Sequence, residues 1–97
     1  MGFVQIIEFK TSDFDAMKKM GDEWEAAAGE GRRSERRVLC EDRDNPGRYF
    51  NIVFFDSYEA AMENSNLPAT QEFSGKMAAL TDGPPTFFNL NVIEDVG

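Results

Sequence analysis

Histidine is missing from this chain of 97 residues, and cysteine appears once, as Cys40. Those two scarcities remove several chemistries at once. Zinc sites draw on clusters of His and Cys, the serine triad needs an imidazole, and an iron–sulfur ferredoxin needs four thiolates. A lone cysteine also excludes an intramolecular disulfide, in keeping with a reducing compartment. Set inside a strand-like run, Cys40 reads as a small buried apolar residue. Basic residues are scarce as well: ten Lys and Arg stand against eighteen Asp and Glu, for a net charge of −8. That balance argues against nucleic acid and against anionic membranes as partners, since both attract basic surfaces. No apolar run approaches the roughly 18 residues that a membrane-spanning helix needs. The opening Met1 to Ile6 lacks the basic-then-apolar layout of a secretory signal. The cytoplasm is the expected location, and neither a metal nor an organic cofactor is expected.

Aromatic residues are plentiful. Nine Phe, two Tyr and one Trp, in a sequence that is 41% apolar, supply enough surface for a core. The length fits one domain over residues 1–97. Phe3 to Phe9 is β-branched and aromatic and predicts a strand. Thr11-Ser12-Asp13 offers capping side chains to a helix whose apolar face is Phe14, Met17, Gly21, Trp24 and Ala28, ended by Gly29 and Gly31. Arg36 to Glu41 and Arg48 to Phe55 predict two more strands, joined by a turn in which Pro46-Gly47 suits the centre of type II. Asp56-Ser57 caps a second helix, interrupted near Asn64 to Pro68 and restarted at Pro68 with Phe73, Met77 and Leu80 as its stripe. Thr86 to Ile93 predicts the last strand. The order β-α-β-β-α-β specifies an α+β fold: a ferredoxin-like, four-stranded antiparallel sheet with two helices on one face.

Alternate strand side chains point to opposite faces. One set is Val4, Ile6, Phe50, Ile52, Phe54, Phe88, Leu90 and Val92, with Glu8 at its rim. The other holds Phe3, Ile7, Phe9, Tyr49, Val53, Phe55, Phe87 and Ile93, interspersed with Gln5, Asn51, Asn89 and Asn91. Both sets call for burial, and two helices roof only one. A bare apolar face this large exceeds what monomers commonly expose, so a homodimer, sheet against sheet about a two-fold axis, is expected.

The run Phe55-Asp56-Ser57-Tyr58-Glu59-Ala60-Ala61, followed by Asn64, Pro68 and Phe73, resembles the dimeric α+β barrel superfamily, in particular its antibiotic-biosynthesis-monooxygenase-like branch. The resemblance implies a pocket between sheet and helices, lined in that family by an Asn and a Trp on the third strand and by a helical His. Asn51 stands at the Asn position. Phe55 replaces the Trp and Asn64 replaces the His. The resemblance also implies that the Asn51 face meets the helices while the all-apolar face forms the dimer barrel.

Amides set among Phe and Ile need hydrogen-bond partners. An aromatic slot with a few such groups is also how small organic ligands are oriented. Gln5, Asn51 and Asn89 therefore stand as ligand contacts or as groups bonded to backbone and to each other. Trp24 is either core or pocket wall, and Tyr49 and Tyr58 are the chain's phenols. Every arginine falls between Arg32 and Arg48. The cluster reads as a solvated strand edge paired with the acidic body, with Gly29 to Arg33 as a possible seat for an anion.

Two functions remain from different classes. In one, Asn51 is catalytic in a cofactor-independent monooxygenase-like or isomerase-like enzyme. Gln5, Trp24, Tyr49, Phe55, Asn64, Phe87 and Asn89 would then contact a small aromatic or polyketide-like ligand. In the other, the same fold binds a metabolite or scaffolds a partner without turnover.

Overall fold

Strand β1, Phe3–Lys10, lies inside the sheet and pairs on both sides, with β3, Arg48–Phe55, and with β4, Thr86–Asn91. β2, Ser34–Glu41, forms the edge beyond β3, giving the antiparallel order β2-β3-β1-β4. The coordinates are those of a computed structural model and describe residues 2–29 and 34–97. The helices are α1 (Phe14–Ala28), α2 (Tyr58–Ser65) and α3 (Pro68–Leu80). The expected order thus holds, with the second helical stretch split in two. The split follows from the chain itself: Pro68 lacks the N–H that a continuous helix would need, and it opens α3 at the first position.

Local chemistry fixes the joins. Asp13 caps α1 by accepting from the Ala16 N–H at 3.2 Å, and Ser57 caps α2 by accepting from the Ala60 N–H at 3.1 Å. Thr11, buried at the end of β1, donates to the Leu80 carbonyl at 2.7 Å and accepts from the Asp13 N–H at 3.1 Å. One hydroxyl therefore ties the start of α1 to the end of α3. In the β2–β3 hairpin the Arg48 N–H donates to the Asn45 carbonyl, and Gly47 has φ 95°, the positive value that type II demands at its third residue.

All buried strand residues among those described (Phe3, Phe9, Tyr49, Val53 and Phe55) belong to one parity. The helices therefore cover that face alone. Beneath them the core forms two separate clusters. Phe3, Val53 and Phe55 pack with Ala60 and Ala61 of α2 at one end, and Phe9 and Tyr49 pack with Met17, Met20 and Met77 at the other. On the opposite face none of Val4, Ile6, Phe50, Ile52 or Phe54 is fully buried, and Phe88 and Leu90 are 41% and 45% exposed.

Three expectations need correction. Cys40 is exposed, not buried: register pairs it with Phe50, which sets it on the uncovered face of an edge strand. β4 stops at Asn91, two residues short of Ile93, because its partner β1 begins opposite that residue at Phe3. The arginines do pair with acids, Arg37 with Glu25 and Arg48 with Glu8 and Asp42, but Arg37 lies on the covered face and not on the solvated edge. The proposed anion seat falls on Glu30, Gly31, Arg32 and Arg33, which lie outside the described residues.

Candidate functional site

Along β1 the covered positions read Phe3, Gln5, Ile7, Phe9, and along β3 Phe55, Val53, Asn51, Tyr49. The aromatic ends belong to the two core clusters. Between them stand Gln5 and Asn51, side chains that do not knit into an apolar core. At that gap the helices leave a cavity of about 320 Å³. Six residues marked from the sequence meet on its wall: Gln5, Trp24, Asn51, Phe55, Asn64 and Phe87. The sheet supplies Gln5, Asn51, Phe55 and Phe87, α1 supplies Trp24, and α2 supplies Asn64.

The polar groups differ in state. The Asn51 side-chain oxygen is buried and has no hydrogen-bond partner among the described residues. Gln5 donates through Nε2 to Asn89 Oδ1 at 3.1 Å, across the β1–β4 register that sets them side by side. Asn89 itself is exposed and does not line the cavity, so its contact with the site runs through Gln5. Trp24 donates its indole N–H to Thr70 Oγ1 at 2.9 Å, and its ring lies 6.1 Å from that of Phe73. This bond joins α1 to α3 at the cavity wall and holds the indole there. Tyr49 stands apart, stacked with Phe9 at 5.5 Å and Phe14 at 4.8 Å in the second cluster. Burial, with the nearby Glu41 carboxylate adding to it, pushes its phenol above the usual value of 10.0. Tyr58 is 52% exposed and packs edge-on against Phe3.

Sequence reasoning missed Arg37, Gly21, Thr70, Gln71 and Ser74, all of which border the cavity. Arg37 was readable. Counting outward from the Pro46-Gly47 turn sets Glu41 opposite Tyr49, Leu39 opposite Asn51 and Arg37 opposite Val53, and so on the covered face. The helical contributors carried no such signal, since the small polar residues of α3 look like any solvated stripe.

Together the lining offers aromatic walls, an unpaired amide acceptor and one cation. Among the described residues that line it there is no carboxylate or imidazole to serve as a base. Neither does any group of three or more Cys, Asp or Glu among the described residues stand where it would hold a metal ion.

No family model and no curated sequence matches this chain. Solved structures are similar. A variant of SnoaB, a cofactor-independent oxygenase from Streptomyces nogalater, superposes with a TM-score of 0.83 at 12% identity, over 98% of this chain and 96% of that one. Rv0793 from Mycobacterium tuberculosis gives 0.82 at 15% identity over the whole of both chains. A protein described as an antibiotic biosynthesis monooxygenase gives 0.77 at 14% identity, over 97% of this chain and all of that one. At such identities the likeness is one of fold: the chain has the ferredoxin-like α+β fold of the antibiotic biosynthesis monooxygenases.

Proposed function

We propose that this chain, sharing the fold of those monooxygenases, binds a small aromatic, polyketide-like metabolite between sheet and helices and oxidises it without a cofactor. The observation that carries the reading is the Asn51 side-chain oxygen, buried and without a hydrogen-bond partner among the described residues, on the wall of a cavity of about 320 Å³. An acceptor in that state costs about 1–3 kcal/mol, and a ligand hydroxyl that donates to it recovers the loss. Gln5, Trp24, Phe55, Asn64 and Phe87 complete the contact surface, with Asn89 and Thr70 as positioning residues for Gln5 and Trp24. The volume lies at the lower end of the range for small-molecule sites.

Oxygenation without metal or flavin draws its electrons from the substrate. A methylene between phenolic rings gives up two hydrogens; one atom of dioxygen becomes the new carbonyl oxygen and the other leaves with those hydrogens as water. Asn51 acts by accepting from the enol hydroxyl across the ring from the reacting carbon, so that the enol, the electron-rich tautomer, is the form bound. An oxygen-uptake assay with an anthrone tests this. Asn51→Ala should lower uptake by about a hundredfold, the usual loss for one preorganised polar group. Unchanged uptake removes Asn51 from the chemistry.

A second reading is favoured by one observation: the described lining carries no base, and Phe55 and Asn64 occupy the positions at which the resembled family has Trp and His. The chain would then bind its metabolite without turning it over. Calorimetric binding of the anthrone with no uptake above the uncatalysed rate selects that reading.

The working unit in either case is a homodimer stacked through the uncovered face. Burying large apolar side chains contributes roughly 1.5–3 kcal/mol each before ordering costs, and that face presents Val4, Ile6, Phe50, Ile52, Phe54, Phe88 and Leu90. Sedimentation at micromolar concentration checks it: a lone stable subunit sinks the dimer.

A further inference from the structure

Arg37 is the one charged side chain among the described residues lining the cavity, in a protein whose net charge is −8. Three features make it more than a stray edge residue. Register sets it opposite Val53 and diagonal to Asn51 on the same face, so cation and unpaired amide lie within reach of one small molecule. Both also border a second, smaller recess of about 30 Å³ next to the main cavity.

Next, the guanidinium is oriented. Nε and Nη2 donate to Glu25 Oε1 at 3.1 and 2.7 Å. The Glu25 side chain is 37% exposed and that of Arg37 22%. The acid thus lies nearer solvent than the base, and of the two only Arg37 lines the cavity. Glu25 is a positioning residue: it takes two of the three guanidinium nitrogens and fixes the plane of the fork.

Finally, the remaining nitrogen has room. The residue of α1 facing Nη1 is Gly21, and a Cβ there would stand 3.8 Å from that nitrogen. Glycine inside a helix costs roughly 0.5–1 kcal/mol against alanine. Here it leaves open space beside a charged donor on the wall of both recesses.

We infer that Arg37 selects the ligand's charge: the cavity takes an aromatic molecule bearing an anionic oxygen, which docks on the Arg37 guanidinium while Asn51 accepts from a neighbouring hydroxyl. The inference rests on the proposal that this cavity is the ligand site, and it narrows the ligand class to aromatic acids, ionised phenols and enolates. A charge-assisted hydrogen bond is about twice as strong as a neutral one, and so separates an acid from its uncharged isostere.

The test is titration calorimetry of the intact protein at neutral pH with 2-naphthoate and with 2-naphthamide, which match in shape and differ in charge. The wild type should bind naphthoate about tenfold more tightly. Arg37→Met should bring the two affinities together by weakening naphthoate alone. Retained naphthamide binding reports an intact cavity in the variant, and Arg37→Gln repeats the comparison with a shorter neutral side chain. Equal affinities in the wild type, or a preference that survives both substitutions, overturn the role of Arg37 and leave the cavity as a ligand site. Failure of the wild type to bind either compound overturns the cavity reading and the inference with it.

Discussion

The two faces of this sheet are made from the same kinds of residue and end in opposite states. Phe54 and Phe55 are neighbours on β3; Phe55 is 3% exposed beneath α2, while Phe54 lies on the uncovered face with the Arg36 guanidinium 5.3 Å above its ring. The covered face has a roof and leaves a gap in it. The other has no gap and no roof. Hydrophobicity alone does not distinguish them; the amides do. Where Gln5 and Asn51 interrupt the pattern, packing stops and a cavity opens, whereas the other face carries its polar groups at the edge, with Arg36 and Arg48 over the rings of Phe54 and Phe50.

Truncating the two rings breaks or sharpens this contrast most forcefully. Phe55→Ala should cost about 3–5 kcal/mol in denaturant unfolding at any protein concentration, as expected for a filled core position. Phe54→Ala should cost a comparable amount only where subunits associate. Its penalty then depends on concentration, and sedimentation should show weakened assembly. A Phe54→Ala protein that loses under about 1 kcal/mol, with unchanged sedimentation, would mean that the uncovered face is bare in solution.

Half of that contrast is legible in the sequence. Strand parity separates the two faces because the period of two is rigid, and the turn at Pro46-Gly47 fixes the register of β2 on β3. Parity set Asn51, Phe55 and Gln5 on one face, and only the resemblance over residues 55–73 implied that this face meets the helices. The arginines look alike as a cluster, but each obeys its own parity: Arg36 and Arg48 sit over Phe54 and Phe50, while Arg37 turns inward. Cys40 was misjudged for the same reason. Tyr49 shares parity with Asn51, yet it stacks on Phe14 of α1, and where a helix crosses a strand is not written in strand periodicity. Nor is the Trp24–Thr70 bond, which depends on how α1 and α3 meet.

Smaller effects probe the gap itself. Asn51→Leu removes a buried acceptor that has no partner and adds apolar volume, so the ligand-free protein should gain about 1–2 kcal/mol while losing affinity for any ligand hydroxyl. A destabilised Asn51→Leu protein would indicate that the amide is already satisfied, and that the gap is structural. Gly21→Ala should raise ligand-free stability by about 0.5–1 kcal/mol, since α1 gains a better helix former in ordinary contact distance of Arg37. The same substitution narrows the space at Nη1 and should weaken naphthoate more than naphthamide. Gain of stability with loss of charge preference marks a position kept small for binding. Equal weakening of both compounds would mean that Gly21 shapes volume alone.

The faintest effect separates the faces by pH. On the covered face Tyr49 titrates above 10.0, chiefly because it is buried, so its phenol matters only in alkali. At the rim of the uncovered face Asp42 behaves the other way. The Asp44 N–H donates to its Oδ1 at 3.0 Å and Arg48 Nη1 to its Oδ2 at 2.9 Å, and these hold the carboxyl below its ordinary 3.8. Arg48 also reaches Glu8 at 3.0 Å, which pins it across β1 and β3. With the folded value depressed, the unfolded chain binds more protons as acid is added. The contribution of Asp42 is therefore complete above the unfolded value and drains away as pH falls through the folded one. Asp42→Asn should melt slightly below the wild type at neutral pH, with the difference constant down to about pH 5 and closing in stronger acid. A difference that persists unchanged into acid would show that Asn45 and the hairpin turn, and not the charge on Asp42, set the stability of this edge.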